Sequence, residues 1–116
     1  MVADESAPMT TREQIVEEMK RRLVERFDPE AIILFGSTAR GEAGRHSDID
    51  LLVLIPIRGK YTDLWSRMDQ ELTDLGVSTD LILMEPDQFE RDKRYVGTVA
   101  RPAWKEGKVL YERRRS

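Results

Sequence analysis

Cysteine is absent from this chain, which excludes disulfides, thiolate zinc sites and a cysteine nucleophile, and is compatible with a reducing cytoplasm. Histidine is nearly absent too: the single one, His46, falls in a loop and reads as solvated surface. No apolar run approaches membrane-spanning length. The opening Met1-Val2-Ala3-Asp4-Glu5-Ser6 is acidic and lacks the basic and apolar regions of a signal peptide. A cytoplasmic location with no membrane partner is therefore expected. Neither sign of charge dominates, since 19 basic and 22 acidic side chains give a net charge of −3. That weak acidity carries no electrostatic footprint for duplex nucleic acid.

What remains is a 116-residue chain, 40% hydrophobic and 35% charged, the size and balance of one soluble globular domain. Residues 1–9 are polar and read as a disordered leader. Residues 10–112 read as a single domain, and 113–116 as a basic, solvated C-terminal tip carrying Arg113, Arg114 and Arg115. No internal repeat or low-complexity segment interrupts the domain.

Thr10 and Glu13 fit a capping box. Behind them Ile15, Met19, Leu23 and Phe27, widened by Val16 and Val24, form the core stripe of an amphipathic helix that ends before Asp28-Pro29. Residues 31–35 are a short buried strand broken by Gly36, and 41–47 read as a loop. A second strand runs from Asp48 to Ile55. Tyr61, Leu64, Trp65, Met68, Leu72 and Leu75 then follow helical spacing, with Gly76 as the stop. A third strand is expected over 77–84, a helix or turn from Glu85-Pro86-Asp87, and a further helix around Tyr95, Val96, Val99 and Trp104 that Pro102 must start, kink or interrupt. Residues 108–111 form a short edge strand. Trp65 and Trp104 are expected in the core or an interface.

The segment that carries chemistry is 36–50. Gly36 and Ser37 follow directly on an apolar strand, and ten residues later Asp48 and Asp50 lead into the next one. Glycine permits a tight turn and close backbone approach to a ligand. A helix starting there would add an anion site, with the Ser37 hydroxyl suited to a phosphate oxygen. Strand alternation places Asp48 and Asp50 on one face, with Cα atoms roughly 6.6 Å apart. Two such charges repel by roughly 3 kcal/mol at an effective dielectric near 20. Asp80, at the start of another apolar run, would add to that. A cluster of this kind binds a cation, shifts a carboxylate pKa or opens to water. Hard oxygen ligands favour Mg2+ or Mn2+ over zinc. The set is no P-loop, because the Gly-Lys-Ser/Thr ending is missing.

These residues resemble the nucleotidyltransferase superfamily that includes DNA polymerase beta, and in particular its small single-domain branch, the minimal nucleotidyltransferases. The likeness rests on Gly36-Ser37, ten residues, then Asp48-Ile49-Asp50, with Asp80 as the third acid. Ala39-Arg40-Gly41 and 106–111 add to it, so that it spans roughly 11–111. The resemblance implies an α/β (α+β) fold, with a small mixed β-sheet and helices packed mainly on one face. It implies Asp48, Asp50 and Asp80 as catalytic and metal-holding residues, with Asp80 also activating the acceptor hydroxyl. Gly36, Ser37, Arg40 and Ser47 would bind the nucleotide. It further implies Mg2+ (or Mn2+) with ATP as substrate, and transfer of AMP to a hydroxyl with release of pyrophosphate.

Small members of that family are often antitoxins of a HEPN-domain toxin, and some adenylylate a tyrosine of it. The expected partner is therefore a HEPN-type protein, with a homo- or hetero-oligomer also open. The chain carries no helical substrate-binding domain of the kind that larger relatives have, which favours a separate protein as acceptor. A non-catalytic module that neutralises its partner by contact is the alternative, and transfer to a small molecule a third. Arg40 and Arg45 have the shape to neutralise phosphate charge, and both also suit the surface.

Overall fold

A computed structural model of the protein describes residues 11–36 and 48–113. The expected leader, Thr10, the segment 37–47 and Arg114 and Arg115 lie outside them. Helix α1 spans Arg12–Phe27 and is capped by Thr11 rather than Thr10. The Thr11 hydroxyl accepts from the Gln14 N–H at 3.1 Å, and Gln14 Oε1 accepts from the Thr11 N–H at 3.4 Å. The sequence offers two overlapping boxes, Thr10 to Glu13 and Thr11 to Gln14, and glutamine completes one as well as glutamate does. The expected stripe holds, with Ile15, Val16, Met19 and Leu23 buried. Asp28 ends the helix in a left-handed conformation at φ 51, its N–H donating to Val24 O.

Four strands follow: β1 (Ala31–Phe35), β2 (Ile49–Leu54), β3 (Thr79–Met84) and β4 (Lys108–Glu112). They form one mixed sheet in the order β3-β2-β1-β4. β1 pairs antiparallel with β2 and β4, whereas β2 and β3 run parallel. A parallel pair needs a crossover. It is supplied here by α2 (Tyr61–Gln70), a 3-10 turn at Thr73–Leu75 and Gly76 at φ 78. The stripe that continues to Leu75 is thus split, its last part tightening into the 3-10 turn. Of the helix or turn expected from Glu85-Pro86-Asp87, the structure has the helix, α3 (Pro86–Asp92), which begins on its proline.

The next helix differs from expectation. α4 covers only Ala100–Glu106, and Tyr95 and Val96 belong to the turns before it. Pro102 decides this: in the first turn it forfeits no intrahelical hydrogen bond, whereas further along it would remove one.

Strand alternation divides the core in two. Ile32, Leu34, Ile49, Leu51, Val53, Leu81 and Leu83 pack with α1 and with Met68 of α2. Ala31, Ile33, Leu52, Leu54 and Met84 pack on the other face with Phe89 of α3 and Ala100 and Ala103 of α4. The two long helices thus share one face, and the two seven-residue helices cover part of the other. Among the described residues no helix is long and apolar enough to cross a membrane.

Polar contacts tie the crossover down. β3 is an outer strand, and an outer strand presents backbone groups that can pair with another chain. Here Tyr61 Oη accepts from the Leu83 N–H at 3.1 Å, and Trp65 Nε1 donates to Leu81 O at 2.8 Å. Arg22 of α1 bonds Glu18 at 2.7 Å, Asp74 at 2.6 Å and Glu71 O at 2.8 Å. Arg113, at the start of the expected tip, is fastened to the fold through Asp28 Oδ2 at 2.9 Å.

Hydrogen bonds from Arg21 and Arg22, which outweigh burial, lower the Glu18 pKa from 4.5 to about 2. A lowered folded-state pKa means that this stabilisation is complete above the unfolded value and is lost as pH falls through the folded one. Urea midpoints should therefore fall as pH drops from 4.5 towards 2, and Glu18→Gln should flatten that part of the profile. Trp65→Phe should cost about 1 kcal/mol in the same assay, one hydrogen bond's worth.

Candidate active site

Three strand ends meet at the site. β1 finishes at Phe35, and Phe35 pairs with Asp50 of β2. On its other side Asp50 is in register with Asp80 of β3. Adjacent strands lie about 4.8 Å apart, and paired residues project to the same face. The Asp50 and Asp80 side chains thus stand side by side on the sheet face that carries α3 and α4. Asp50 is half-buried and Asp80 exposed. Their closeness costs about 3 kcal/mol at an effective dielectric near 20, a cost reduced by water at Asp80 and reversed by a cation.

Gly36 holds Asp50 from the third side. Its φ is +75, a conformation favouring glycine, and a Cβ built on it would lie 2.0 Å from Asp50 Oδ2. The missing side chain is the space in which that carboxylate sits. Gly36 was expected to allow close approach to a ligand; the group that stands against it in the structure is the chain's own Asp50 carboxylate.

Asp48 is placed differently. β2 begins at Ile49, so Asp48 lies one residue ahead of the ladder and is exposed. Two contacts set the chain there: Ile49 N–H donates to Ser78 O at 2.9 Å, and Arg12 Nη2 donates to Asp48 O at 3.3 Å. Arg12 carries no sequence signal for this role, since a lone arginine opening a helix looks like any surface residue. Ser37, Arg40 and Ser47, and with them Arg45 and His46, lie outside the described residues.

The three expected acids do not close on one point. Among the described residues no three carboxylates or imidazoles stand close enough to hold a metal ion. The structure brings together the pair Asp50 and Asp80, with Asp48 two residues along the chain. Hard-oxygen pairs of this kind suit Mg2+, which is commonly held by one or two carboxylates together with substrate phosphates. In donor chemistry the residues fit such an ion. A groove of about 600 Å³ lined by Glu13, Glu17, Val24 and Tyr111 lies across the sheet from the acids and is no part of this site.

Gly36→Ala tests the cradle, with Gly59→Ala as its control. Gly59 has nearly the same φ, +79, but nothing within 4 Å of its would-be Cβ. Both substitutions should cost about 1 kcal/mol or more of stability from the left-handed backbone. Only Gly36→Ala should also displace Asp50 and weaken Mn2+–nucleotide binding, measured by calorimetry on folded protein.

Comparison with known proteins identifies the family and the fold. The nucleotidyltransferase domain family matches residues 13–111. The protein adenylyltransferase MntA of Thermococcus cleftensis is 38% identical over 74 residues, which is 61% of this chain and 72% of that one. A Methanocaldococcus jannaschii relative is 36% identical over 81 residues, 69% of this chain and 76% of its own. A toxin–antitoxin crystal structure with AMP-PNP superposes with a TM-score of 0.61 at 24% identity, covering 89% of this chain and 75% of that chain. A mutant MntA–HpeT toxin–antitoxin structure gives 0.57 at 21%, covering 90% and 75%. At those identities the structural likeness establishes the fold. Taken with the family match over almost the whole described domain, it means that the chain belongs to the nucleotidyltransferase domain family and is a nucleotidyltransferase.

Proposed function

We propose that this chain moves AMP from ATP to a hydroxyl of a partner protein, and that the partner is a HEPN-type toxin which it neutralises in the cytoplasm. The observation that carries the reading is the Asp50–Asp80 register with Gly36 seated against the Asp50 carboxylate. Its support from relatives is that one is named a protein adenylyltransferase and that similar folds occur in toxin–antitoxin structures, one with AMP-PNP.

Each residue has a place in the reaction. Asp48, Asp50 and Asp80 are the groups to hold Mg2+ or Mn2+, an ion that supplies charge neutralisation to a triphosphate. Gly36, Ser37, Arg40 and Ser47 bind the phosphates. The acceptor oxygen forms a bond to the α-phosphorus, the bond from that phosphorus to the pyrophosphate oxygen breaks, and Asp80 takes the hydroxyl proton. Because Asp80 is exposed, an acceptor arriving from outside the molecule can reach it.

Purified chain, Mg2+, ATP labelled on its α-phosphate and the purified product of the neighbouring gene should give a labelled partner. Chelation should abolish labelling and added Mg2+ restore it. Asp50→Asn and Asp80→Asn should each reduce the rate by about 10² or more, the usual scale for removing such a group. Labelling that survives Asp48→Asn and Asp50→Asn sinks the proposal. Neutralisation that persists in Asp50→Asn without transfer identifies the contact-only alternative.

A further inference from the structure

Six large hydrophobic side chains are exposed among the described residues: Tyr61, Tyr95, Val96, Val99, Trp104 and Val109. Tyr61 is engaged with the β3 edge through its hydroxyl. The other five fall within fifteen consecutive positions, and Val96 is 87% exposed.

They belong to one surface. Thr98 Oγ1 donates to Asp92 O and Tyr95 O, both at 2.9 Å, and accepts from the Arg101 N–H at 3.3 Å. Arg101 Nη1 reaches back to Arg94 O at 3.0 Å. Lys93 Nζ lies 5.2 Å from the centre of the Trp104 ring. The turn between α3 and α4 is thereby folded onto α4. Val109 pairs with Ile33 and so shares the α4 face of the sheet. Gly107 keeps α4 tight against that face, since a Cβ there would lie 2.2 Å from Ala103 O and 2.6 Å from Ile33 Cγ2.

Position and charge give this surface a use. β4 starts at Lys108 opposite Leu34, one residue before Phe35, which pairs with Asp50. The α4–β4 end of the patch therefore stands at the same end and on the same face of the sheet as Asp50 and Asp80. Across 91–108 the basic residues are Arg91, Lys93, Arg94, Arg101, Lys105 and Lys108, against Asp92 and Glu106, in a chain whose net charge is −3. Lys93 is matched by Glu90 at 2.8 Å, whereas Arg94 and Lys105, next in sequence to Tyr95 and Trp104, are exposed.

We infer that this apolar, basic-rimmed surface is where the protein that supplies the acceptor hydroxyl docks, through an acidic surface with an apolar centre. The inference rests on the proposed transfer to a protein and adds where that protein binds. A two-fold pairing of this chain through the patch would bring one basic rim, with Arg94 and Lys105, against another, which like charges oppose. RNA is disfavoured because three of the five apolar groups are valines, which offer no flat ring for base stacking. An apolar centre within a charged rim is the usual anatomy of a protein interface.

The absence of cysteine makes the test direct. Val96→Cys, labelled with a maleimide photo-crosslinker, should crosslink to the purified neighbouring-gene product without nucleotide, and Glu17→Cys on α1 should not. Val96→Asp, and separately Arg94→Glu with Lys105→Glu, should each weaken that complex about tenfold or more. Binding of Mn2+ and ATP should be unchanged in both. Val96 is so exposed that its substitution leaves the core intact, which thermal unfolding will verify. Crosslinking to a second copy of this chain alone, retention of a labelled single-stranded RNA that the variants release, or unchanged partner binding in both variants overturns the inference. Crosslinking at Val96→Cys without any transfer of label upholds the docking surface and sinks the transfer reading. Labelling of the partner with wild-type efficiency by both variants does the reverse.

Discussion

Parallel pairing of β2 with β3 is the constraint on which the rest depends. It sets Asp50 beside Asp80, a like-charge pair whose repulsion the rest of the sheet must offset. Parallel strands cannot be joined by a tight turn, so the pairing brings α2 with it. That crossover lies along the outer margin of β3, where Tyr61 and Trp65 satisfy its Leu83 N–H and Leu81 carbonyl. Arg22 then binds the end of the crossover to α1. The two long helices thus pack on the face opposite the acid pair, and the two short ones on the face that carries it.

Much of this was legible in the chain, for reasons that differ by residue. β1 was readable because 31–35 is a continuous apolar run bounded by Pro29 and Gly36. Asp50 and Asp80 stood out because a charge inside an apolar run needs a reason, and their shared register supplies it. α4 was misplaced because Tyr95, Val96 and Val99 mimic a helical stripe while Pro102 restricts where the helix can begin. The capping box slipped by one because two threonines in succession each offer a hydroxyl at the right spacing. Arg12 was invisible, since its contact with Asp48 O joins residues 36 apart in sequence. No local pattern encodes such a contact.

The three acids are held by three different devices. Asp80 is positioned by its strand register with Asp50. Asp50 has that register and also the notch left by Gly36, so both backbone and void define it. Asp48 precedes the ladder, and its backbone is set by Arg12 and by the neighbouring Ile49–Ser78 hydrogen bond. Disturbing the sheet therefore moves Asp50 and Asp80 together, whereas disturbing the start of α1 acts on Asp48 first. The arrangement separates a fixed pair from a third group that depends on side-chain contacts.

That separation bears on how a small sheet manages a charged site. A cluster of three acids fully built into a ladder would be repulsive in every state of the protein that lacks a cation. Two acids of which one is exposed reduce the cost, because water screens the pair. Leaving the third outside the ladder lowers it again, which suits the proposed reaction, since Mg2+ is usually held between protein carboxylates and substrate phosphates. The short helices on this face serve the same end. With seven residues each, α3 and α4 cover the apolar rows of Ile33, Leu52 and Met84 and leave Asp80 exposed and Asp50 half-buried. The exposure of Asp80 and the cover of those apolar rows are thus two outcomes of where the helices stop.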